Sequence, residues 1–322
     1  METLERDTGD SKEASSSAEI QNSWVEAQDS LKTRLVTEDD FRWQLPTAAS
    51  TAIGGGECGV LKYVGGVDIS FAKDDPSIAC GTLVVLDLQT LELVYEDYSV
   101  VTLHIPYVPA FLAFREAPIL LQLLEKMKTC DHPFYPQVFL CIYFLFNLLS
   151  SNSGIVMVFG CEQMLMVDGN GILHPRGKCP PHWQTFCWIF FPVSAYCSSI
   201  LLNGFGLACH LGVLANLPTI GIGKNLHHVD GLSQSTVRQL LETKGTNEDI
   251  LSLRGDSGRT WGAAMRSNPG SFKPIYISVG HRVSLATAVK IARMTSKYRV
   301  PEPIRQADIR SRDYLRKHQS GG

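Results

Sequence analysis

Two aspartates stand where acidic side chains can bind a hard cation. Asp68 follows the apolar segment 64–67, and Asp168 follows the apolar segment 164–167 and precedes Gly169. Both segments are typical of buried strands, and a carboxylate at the end of such a strand is poorly suited to a core. Oxygen ligands of this kind are the ones that Mg²⁺ prefers. If neighbouring strands bring the two aspartates together, we expect metal-assisted cleavage of a phosphodiester.

Three further residues could complete such a site. Glu116 offers a third carboxylate from a predicted helix, and Lys224, after an apolar strand, could stabilise developing negative charge or orient a water. His281, at a turn between a strand and a helix, could neighbour the metal or carry a proton. Simpler interpretations stay open: an aspartate beside glycine often forms a turn, Glu116 and Lys224 could be solvated surface charges, and His281 could cap or pack against the following helix.

The elements that must position these residues follow alternating strand and helix patterns. Apolar and β-branched segments predict strands at residues 63–71, 78–88, 91–101, 164–167, 219–223, 260–265 and 274–279. The spacing of apolar residues predicts helices at residues 24–35, 110–128, 205–215 and 284–296. Consecutive hairpin strands followed by β-α-β units predict an α/β fold with a central mixed β-sheet flanked by helices. This order resembles the ribonuclease H-like fold, which gathers carboxylates at neighbouring strand ends.

The composition fits a globular protein with a sizeable core. The 322 residues are 44% hydrophobic, and the net charge of −3 excludes a protein that binds nucleic acid through its overall charge. Basic residues are concentrated between Lys290 and Lys317, a run that fits either a solvated helix face or a phosphate-facing patch. Nine cysteines without regular spacing, and no amino-terminal signal peptide, predict a reducing compartment.

We expect two unequal parts in the chain. Residues 1–40 form an acidic N-terminal region, in which the Ser-rich residues 1–22 are expected to be disordered and a helix follows near the end. Residues 41–322 form the catalytic domain, and the Gly-rich segment 48–59 leads into its core. The candidate chemistry therefore belongs to the second part alone.

Several motifs, in order along the chain, resemble those of the endonuclease V family. They are residues 65–70 (GGVDIS), 106–109 (PYVP), 111–116 (FLAFRE), 167–176 (VDGNGILHPR) and 277–282 (ISVGHR). The resemblance runs from about residue 41 to the carboxyl end, apart from two interruptions. It implies an endonuclease that incises strands at inosine, the deamination product of adenosine. Such an enzyme hydrolyses the second phosphodiester 3′ to the inosine and leaves a 5′-phosphate.

The resemblance also implies roles for single residues. Asp68, Asp168 and Glu116 would hold the metal, which is Mg²⁺ or, in its place, Mn²⁺, and Lys224 and His281 would be further catalytic residues. The substrate would be bound by a wedge and by the loop after the second aspartate, through Pro106, Tyr107, Gly169, His174 and Arg176. A further candidate near the metal is Asp308, because residues 305–308 resemble the vertebrate-type ending.

The same resemblance implies the substrate and the setting of the enzyme. Because the similarity is greatest to vertebrate-type sequences, we expect inosine in single-stranded RNA to be preferred, with deoxyinosine in DNA as a second substrate. A contact with the 2′-hydroxyl near the scissile bond would give that preference a physical basis. We expect a monomer without a membrane span, located in the cytoplasm and in the nucleus, including the nucleolus.

Two apolar segments, at about residues 139–164 and 178–204, interrupt the resemblance and flank Asp168. They are nearly free of charge and rich in Phe, Cys and Trp, unlike the polar loops that usually connect elements. They could be translated intron or alternative-exon sequence, structured additions, or membrane spans. Two membrane spans would leave Asp168 isolated between them, so we expect instead that the segments are poorly ordered loops that preserve the metal site. If they disrupt it, the alternative is a catalytically impaired inosine-RNA-binding protein.

Overall fold

A computed structural model of the chain describes residues 9–46, 59–105, 108, 111–135, 163–174, 204–243, 249–267 and 273–319. The strands are β1 Tyr63–Phe71, β2 Ile78–Asp87, β3 Leu93–Thr102, β4 Gln163–Asp168, β5 Thr219–Gly223, β6 Ile250–Arg254, β7 Thr260–Met265 and β8 Ile275–His281. The helices are α1 Gly9–Lys32, α2 Leu112–Thr129, α3 Leu207–Ala215, α4 Gln234–Thr243, α5 Leu285–Met294 and α6 Glu302–Gln319.

All these strands form one mixed sheet, whose parallel pairs lie at its centre. The strand order is β3-β2-β1-β4-β5-β8-β7-β6. Strand β4 runs parallel to both β1 and β5, whereas every other neighbouring pair in the sheet is antiparallel. This arrangement confirms the predicted α/β fold with a mixed sheet flanked by helices, in the ribonuclease H-like order.

The sheet buries both of its faces, and the residues of β4 alternate between them. Met164 and Met166 pack in the core beneath α5 and α6, whereas Leu165 and Val167 pack in the core beneath α2 and α3. This alternation is the ordinary geometry of a strand. All four side chains are at most 1% exposed, and burying a side chain of this type contributes about 1.5–3 kcal/mol. Both cores therefore fix the position of β4.

Helix α6 crosses closely over β1, and a glycine allows this contact. A Cβ atom at Gly66 would lie 2.3 Å from the carbonyl oxygen of Pro303, at the start of α6, so a side chain would force the helix away from the strand. Near the end of β1, the hydroxyl groups of Ser70 and Ser311 are hydrogen-bonded at 2.6 Å. These two contacts hold the middle of α6, which contains Asp308, above the end of β1.

The elements agree with the predicted ones except in a few places. Helix α1 begins at Gly9 rather than near Trp24, in a part of the chain that we expected to be disordered, and residues 1–8 lie outside the described residues. Helix α4 and strand β6 were not predicted, and α6 was foreseen only as one of two open interpretations of the basic run that ends at Lys317. Strand β6 lies at the edge of the sheet with Ser252 and Arg254 exposed, so its composition lacks the apolar run of a buried strand.

The borders of the two apolar segments belong to the fold. Gln163 and Met164 are part of β4, where they pair with Tyr63 and Val64. Gly204 packs so closely that a Cβ atom there would lie 1.9 Å from a carbonyl oxygen of the loop after β4. The remainder of both segments, residues 139–162 and 178–203, lies outside the described residues. Among the helices that the structure describes, none combines the length and the apolar character that crossing a membrane requires.

Candidate active site

Strand pairing brings Asp68 and Asp168 to the same end of the sheet. Strands β1 and β4 are parallel and in register, with Val67 opposite Val167, so the aspartates that follow these valines lie side by side. Asp168 is also the last residue of β4 and lies opposite Ile222 of β5. The expectation that neighbouring strands gather the two aspartates is therefore confirmed.

Glu116 adds a buried carboxylate from the other side of the sheet. It lies on the face of α2 whose residues Ala113, Ala117 and Leu120 pack against the strands, and it is only 8% exposed. Burial, and next to it the charge of Asp168, raise the pKa of Glu116 to about 7. Glu116 is therefore within electrostatic reach of Asp168 and exchanges its proton near neutral pH.

Asp68 is crowded by other acidic groups. Its side chain is buried, and its Oδ2 atom has no hydrogen-bond partner among the described residues. Burial raises the pKa of Asp68 well above its ordinary value, Asp168 and Asp308 raise it further, and Lys224 opposes them. Carboxylates that are buried together resist ionisation unless a cation lies among them. The arrangement is therefore one that an added cation would stabilise.

Lys224 brings a positive charge into this acidic group. Its Nζ atom donates a hydrogen bond to Asp168 Oδ2 at 2.5 Å. Burial lowers the pKa of Lys224, but the nearby carboxylates, above all Asp168, outweigh this effect, and the pKa is raised overall. Arg299 fixes the main chain here, because its Nη2 atom donates to the Lys224 carbonyl oxygen at 2.9 Å. The ammonium group is therefore charged at neutral pH and held in place.

Asp308 reaches the same place from α6. It lines the same cleft as Asp68 and Lys224, and its charge contributes to the raised pKa of Asp68. Its Oδ1 atom accepts a hydrogen bond from Arg312 Nη2 at 2.5 Å, one helical turn further on. The sequence signals this residue only weakly, because a single acid in a charged helix is common. The close contact of α6 with β1 is what brings it to the site.

The structure does not bring His281 to the carboxylates. Strand β8 is antiparallel to β5, and His281 lies opposite Thr219 at the start of β5, whereas Lys224 follows its end. The Nδ1 atom of His281 accepts a hydrogen bond from the Val36 N–H at 3.2 Å. Burial, with the charge of Arg282, lowers its pKa to about 4. This position agrees with the simpler interpretation of His281 as a packed residue and not with a place beside the metal.

The loop after Asp168 folds back across β5 and β8 and depends on its glycines. Gly169 has a φ of +153°, which residues with a side chain rarely adopt. The N–H of Gly171 donates to Ser278 Oγ at 2.8 Å, and a Cβ atom there would lie 1.8 Å from a carbonyl oxygen of β8. Asn170, which the sequence analysis named only within a motif, is buried between them. The loop thus fixes the end of β4 and with it Asp168.

The predicted substrate-binding residues are only partly described. Gly169 lies directly after Asp168 in the loop. His174 is half-buried at the end of the described loop, and its ring centroid is 5.4 Å from that of His227. Three of these residues lie outside the described residues, namely Pro106, Tyr107 and Arg176.

An open cleft of about 800 Å³ runs along the acidic group. Besides Asp68 and Asp308, its lining contains the basic side chains Lys73, Lys224, Arg312 and Arg316. Basic side chains of this kind are the usual partners of backbone phosphates. The cleft can therefore guide a nucleic acid backbone across the carboxylates.

The donor set fits a divalent cation. Within the described residues no three acidic, histidine or cysteine side chains converge into a complete metal cluster, and Lys224 Nζ already occupies one oxygen of Asp168. Mg²⁺ needs only one or two protein carboxylates, because it keeps several waters and binds substrate phosphate. Asp68, through its unpartnered Oδ2 atom, and Asp168 can supply them, with Glu116 nearby.

The chain is similar to endonuclease V proteins over most of its length. The Endonuclease V family model matches residues 50–141 and 201–309. Human Endonuclease V is 39% identical over 298 residues, which are 91% of this chain and 83% of the human protein. The crystal structure of the catalytic domain of human Endonuclease V has a TM-score of 0.70 at 37% identity and covers 94% of this chain and 98% of its own.

A second solved structure includes nucleic acid. It is a Ciona intestinalis Endonuclease V in complex with a 23mer DNA containing an inosine followed by a ribo-adenosine. Its TM-score is 0.68 at 28% identity, and the match covers 93% of this chain and 98% of that one.

The family match has a gap between residues 141 and 201, and Asp168 lies inside it. The sheet bridges this gap, because β4 pairs with β1 on one side and with β5 on the other. Asp168 is therefore next to Asp68 even though the family model leaves it unmatched.

Proposed function

Because this chain belongs to the endonuclease V family of hydrolases that cleave phosphodiester bonds, we propose that it cuts single nucleic acid strands at inosine. The cut falls at the second phosphodiester 3′ to the inosine and leaves a 5′-phosphate. RNA is the preferred substrate, and DNA containing deoxyinosine is a second one. The observation that carries the proposal is the pairing of β1 with β4, which sets Asp68 beside Asp168 at the edge of an open cleft.

The charges of the side chains at the site suit them to different roles in hydrolysis. Lys224 stays protonated at neutral pH and is placed to stabilise the negative charge that builds on the phosphate. Glu116, whose pKa is raised to about 7 by burial, must lose its proton before it can help to hold a cation close to that phosphate. Asp68, Asp168 and Glu116 would hold Mg²⁺ or Mn²⁺, and such an ion, when bound, activates a water and neutralises phosphate charge.

The preference for RNA is supported by the relatives. The Ciona intestinalis Endonuclease V is in complex with a strand in which a ribonucleotide directly follows the inosine. A ribonucleotide differs from a deoxyribonucleotide by its 2′-hydroxyl, which a protein can contact as donor and acceptor. We infer that this chain contacts the 2′-hydroxyl of the nucleotide that follows the inosine.

The alternative is an inosine-RNA-binding protein whose catalytic site has been lost. It would apply if the apolar segments on both sides of Asp168 displaced that residue. The full pairing of β4 and the contact between Lys224 and Asp168 at 2.5 Å favour the enzyme. We therefore propose catalysis rather than binding alone.

Cleavage of a single-stranded RNA oligonucleotide with one inosine tests this proposal. With Mg²⁺ we expect cutting at the second phosphodiester 3′ to the inosine, and no cutting of the same RNA with guanosine in its place. The Asp68→Ala variant should bind the inosine RNA without cutting it. Binding by the unaltered protein without Mg²⁺-dependent cutting would favour the binding protein and contradict the enzyme.

The matched DNA oligonucleotide decides the preference between RNA and DNA. We expect inosine RNA to be cut faster than the same sequence with deoxyinosine. A third strand, DNA with one ribonucleotide directly 3′ to the deoxyinosine, should regain the rate of RNA if the 2′-hydroxyl is what the site reads. Faster cleavage of all-DNA substrate would overturn the proposed preference.

A further inference from the structure

An exposed aromatic residue borders the charged cleft. Phe71 is the last residue of β1, follows Asp68 by three positions and lines the same cleft. Because a strand rises about 3.3 Å per residue, Asp68 and Phe71 are about 10 Å apart along the strand. The residue is 37% exposed. An apolar ring beside carboxylates and lysines is unexplained by the catalytic roles above.

Phe71 is held by an arginine of the helix that also carries Glu116. The guanidinium of Arg115 lies over the ring at 4.8 Å from its centroid. Its Nη2 atom donates to the carbonyl oxygen of Pro76, in the turn between β1 and β2, at 3.2 Å. The ring is therefore supported on one side by a planar cation, and its exposed part remains available to a ligand at the border of the cleft.

The surroundings of the ring identify the class of ligand. Lys73, two residues further on, is exposed and lines the cleft as well. A flat apolar surface next to a cation suits a nucleotide, whose base stacks on the ring while its phosphate contacts the ammonium. A peptide or a lipid would not need this alternation of aromatic and basic groups next to metal-binding carboxylates.

We propose that Phe71, supported by Arg115, is a stacking platform for one nucleobase of the bound strand, close to the phosphate that is cut. The proposal rests on the proposed function, since the ligand is a single strand that lies in the catalytic cleft. Every base has a π-face, so the platform strengthens binding without reading the sequence. It holds the strand in register while inosine is recognised elsewhere.

Substitutions at Phe71 test the platform against a matched control. Phe71→Ala and Phe71→Leu, which lack a π-face, should weaken binding of inosine RNA about tenfold, whereas Phe71→Trp should keep it. The control is Tyr298→Ala: Tyr298 is 54% exposed and carries Arg305 over its ring at 4.6 Å, but neither residue lines the cleft. It should bind as the unaltered protein does.

Binding is measured by fluorescence anisotropy with Ca²⁺ in place of Mg²⁺, and a gel verifies that the RNA stays uncut. An abasic scan then locates the stacked base. Each nucleotide near the inosine is replaced in turn by an abasic one. At one position, loss of the base should weaken the unaltered protein about tenfold and leave Phe71→Ala unaffected, because the partner of the ring is already gone. A general loss of folding cannot produce this effect at a single position.

Three results would overturn the platform: unchanged binding by Phe71→Ala and Phe71→Leu, an equal loss in Tyr298→Ala, or a Phe71→Ala defect that no abasic position removes. Failure of the proposed function is distinct from these. A protein that binds inosine RNA and never cuts it refutes the enzyme, while the same abasic scan still decides the platform. A protein that binds neither RNA nor DNA refutes both.

Discussion

The two ends of strand β5 both lie among buried polar residues but serve different purposes. At the end that leads to Lys224, the Oδ2 atom of Asp68 is buried without a hydrogen-bond partner among the described residues. At the start, opposite Thr219, the Nδ1 atom of His281 is satisfied by the Val36 N–H. An unsatisfied buried polar atom is costly unless a ligand completes it. The first end is therefore built for a ligand and the second for architecture.

The architectural end fastens the N-terminal segment to the sheet. The N–H of Arg282 donates to the carbonyl oxygen of Val36 at 2.7 Å. The carboxylate of Asp39 accepts hydrogen bonds from the Ser284 N–H at 2.6 Å and from the Thr287 hydroxyl at 2.7 Å. The chain that follows α1 is thereby bound to the end of β8 and the start of α5. The polar groups of Val36, Asp39, Arg282 and Ser284 are thus hydrogen-bonded to one another or to their neighbours within the protein.

Substitution of Asp68 should give the largest effect on activity. We expect Asp68→Asn to lower kcat on inosine RNA about 10³-fold or more, because the reaction loses a carboxylate beside the phosphate. Burial and the neighbouring acids raise the pKa of Asp68, so its ionised form destabilises the metal-free fold at pH 7. The amide should therefore raise the thermal midpoint in EDTA while activity is lost, as single-turnover cleavage and circular dichroism melts will measure.

The control for this variant is Asp74→Asn, an exposed aspartate in the turn after β1. It should change neither activity nor midpoint. An Asp68→Asn protein that stays active would contradict the catalytic role of Asp68. One that melts at a lower temperature would contradict the view that the Asp68 carboxylate destabilises the metal-free fold.

The strands that carry the site are predictable because their signals are local. Predicted residues 63–71 and 219–223 coincide with β1 and β5, since both are short apolar runs bounded by residues that end strands. The aspartates of β1 and β4 could be placed together because the predicted order of elements resembles the ribonuclease H-like fold, which gathers carboxylates at neighbouring strand ends. Strand β6 escaped prediction because an exposed edge strand lacks the apolar run that marks a buried one.

The positions of His281 and Asp308 depend on tertiary pairing that the sequence does not display. The local pattern places His281 in the turn after a strand, and in the structure it is the last residue of β8. The antiparallel pairing of β8 with β5 then carries it to the opposite end from Lys224. Asp308 is brought in by the contact between Gly66 and Pro303, which joins residues far apart in sequence. A residue's place within an element was thus easier to predict than its partners.

Protonation of Glu116 should couple to metal binding. Because burial and Asp168 raise the pKa of Glu116 to about 7, a cation that binds there displaces a proton. The affinity for Mg²⁺ should then fall up to about tenfold for each pH unit below 7. Glu116→Gln should bind Mg²⁺ more weakly at pH 8 and with a flatter pH profile, measured by isothermal titration calorimetry. Glu125→Gln, an exposed position on the same helix, should behave like the unaltered protein. A flat profile in the unaltered protein would refute the coupling.

His281 should affect stability rather than catalysis. Burial and Arg282 lower its pKa to about 4, so the folded protein keeps the imidazole neutral while the unfolded chain takes up a proton below its ordinary pKa of about 6.5. Stability is therefore lost as the pH falls from about 6.5 to below 4, by up to about 3 kcal/mol for this residue. His281→Leu should be about 1–2 kcal/mol less stable at pH 7, where Val36 loses its acceptor, yet less sensitive to acid. Urea titrations at several pH values measure both effects.

A conservative variant separates the hydrogen bond from the titration. His281→Asn offers an oxygen to the Val36 N–H but does not titrate, so it should be more stable than His281→Leu at pH 7 and equally insensitive to acid. His210, whose pKa burial also lowers to about 4, leaves part of the acid sensitivity in both variants. Both should keep kcat within about twofold. A loss of kcat comparable to that of Asp68→Asn would show instead that His281 takes part in catalysis.

The smallest effect is expected from removing the apolar segments that flank Asp168. Deletion of residues 139–162 and 178–203, each replaced by a short Gly-Ser linker, should leave cleavage within about twofold. The reason is that β4 is paired on both sides and the loop after it is tied to Ser278, so Asp168 is held by the sheet itself. The same deletion combined with Asp68→Asn must be inactive. If the deleted protein folds but loses activity, the pairing of β4 is not sufficient to position Asp168. The end of the sheet with the carboxylates would then depend on these segments, just as the end with His281 depends on residues 36–39.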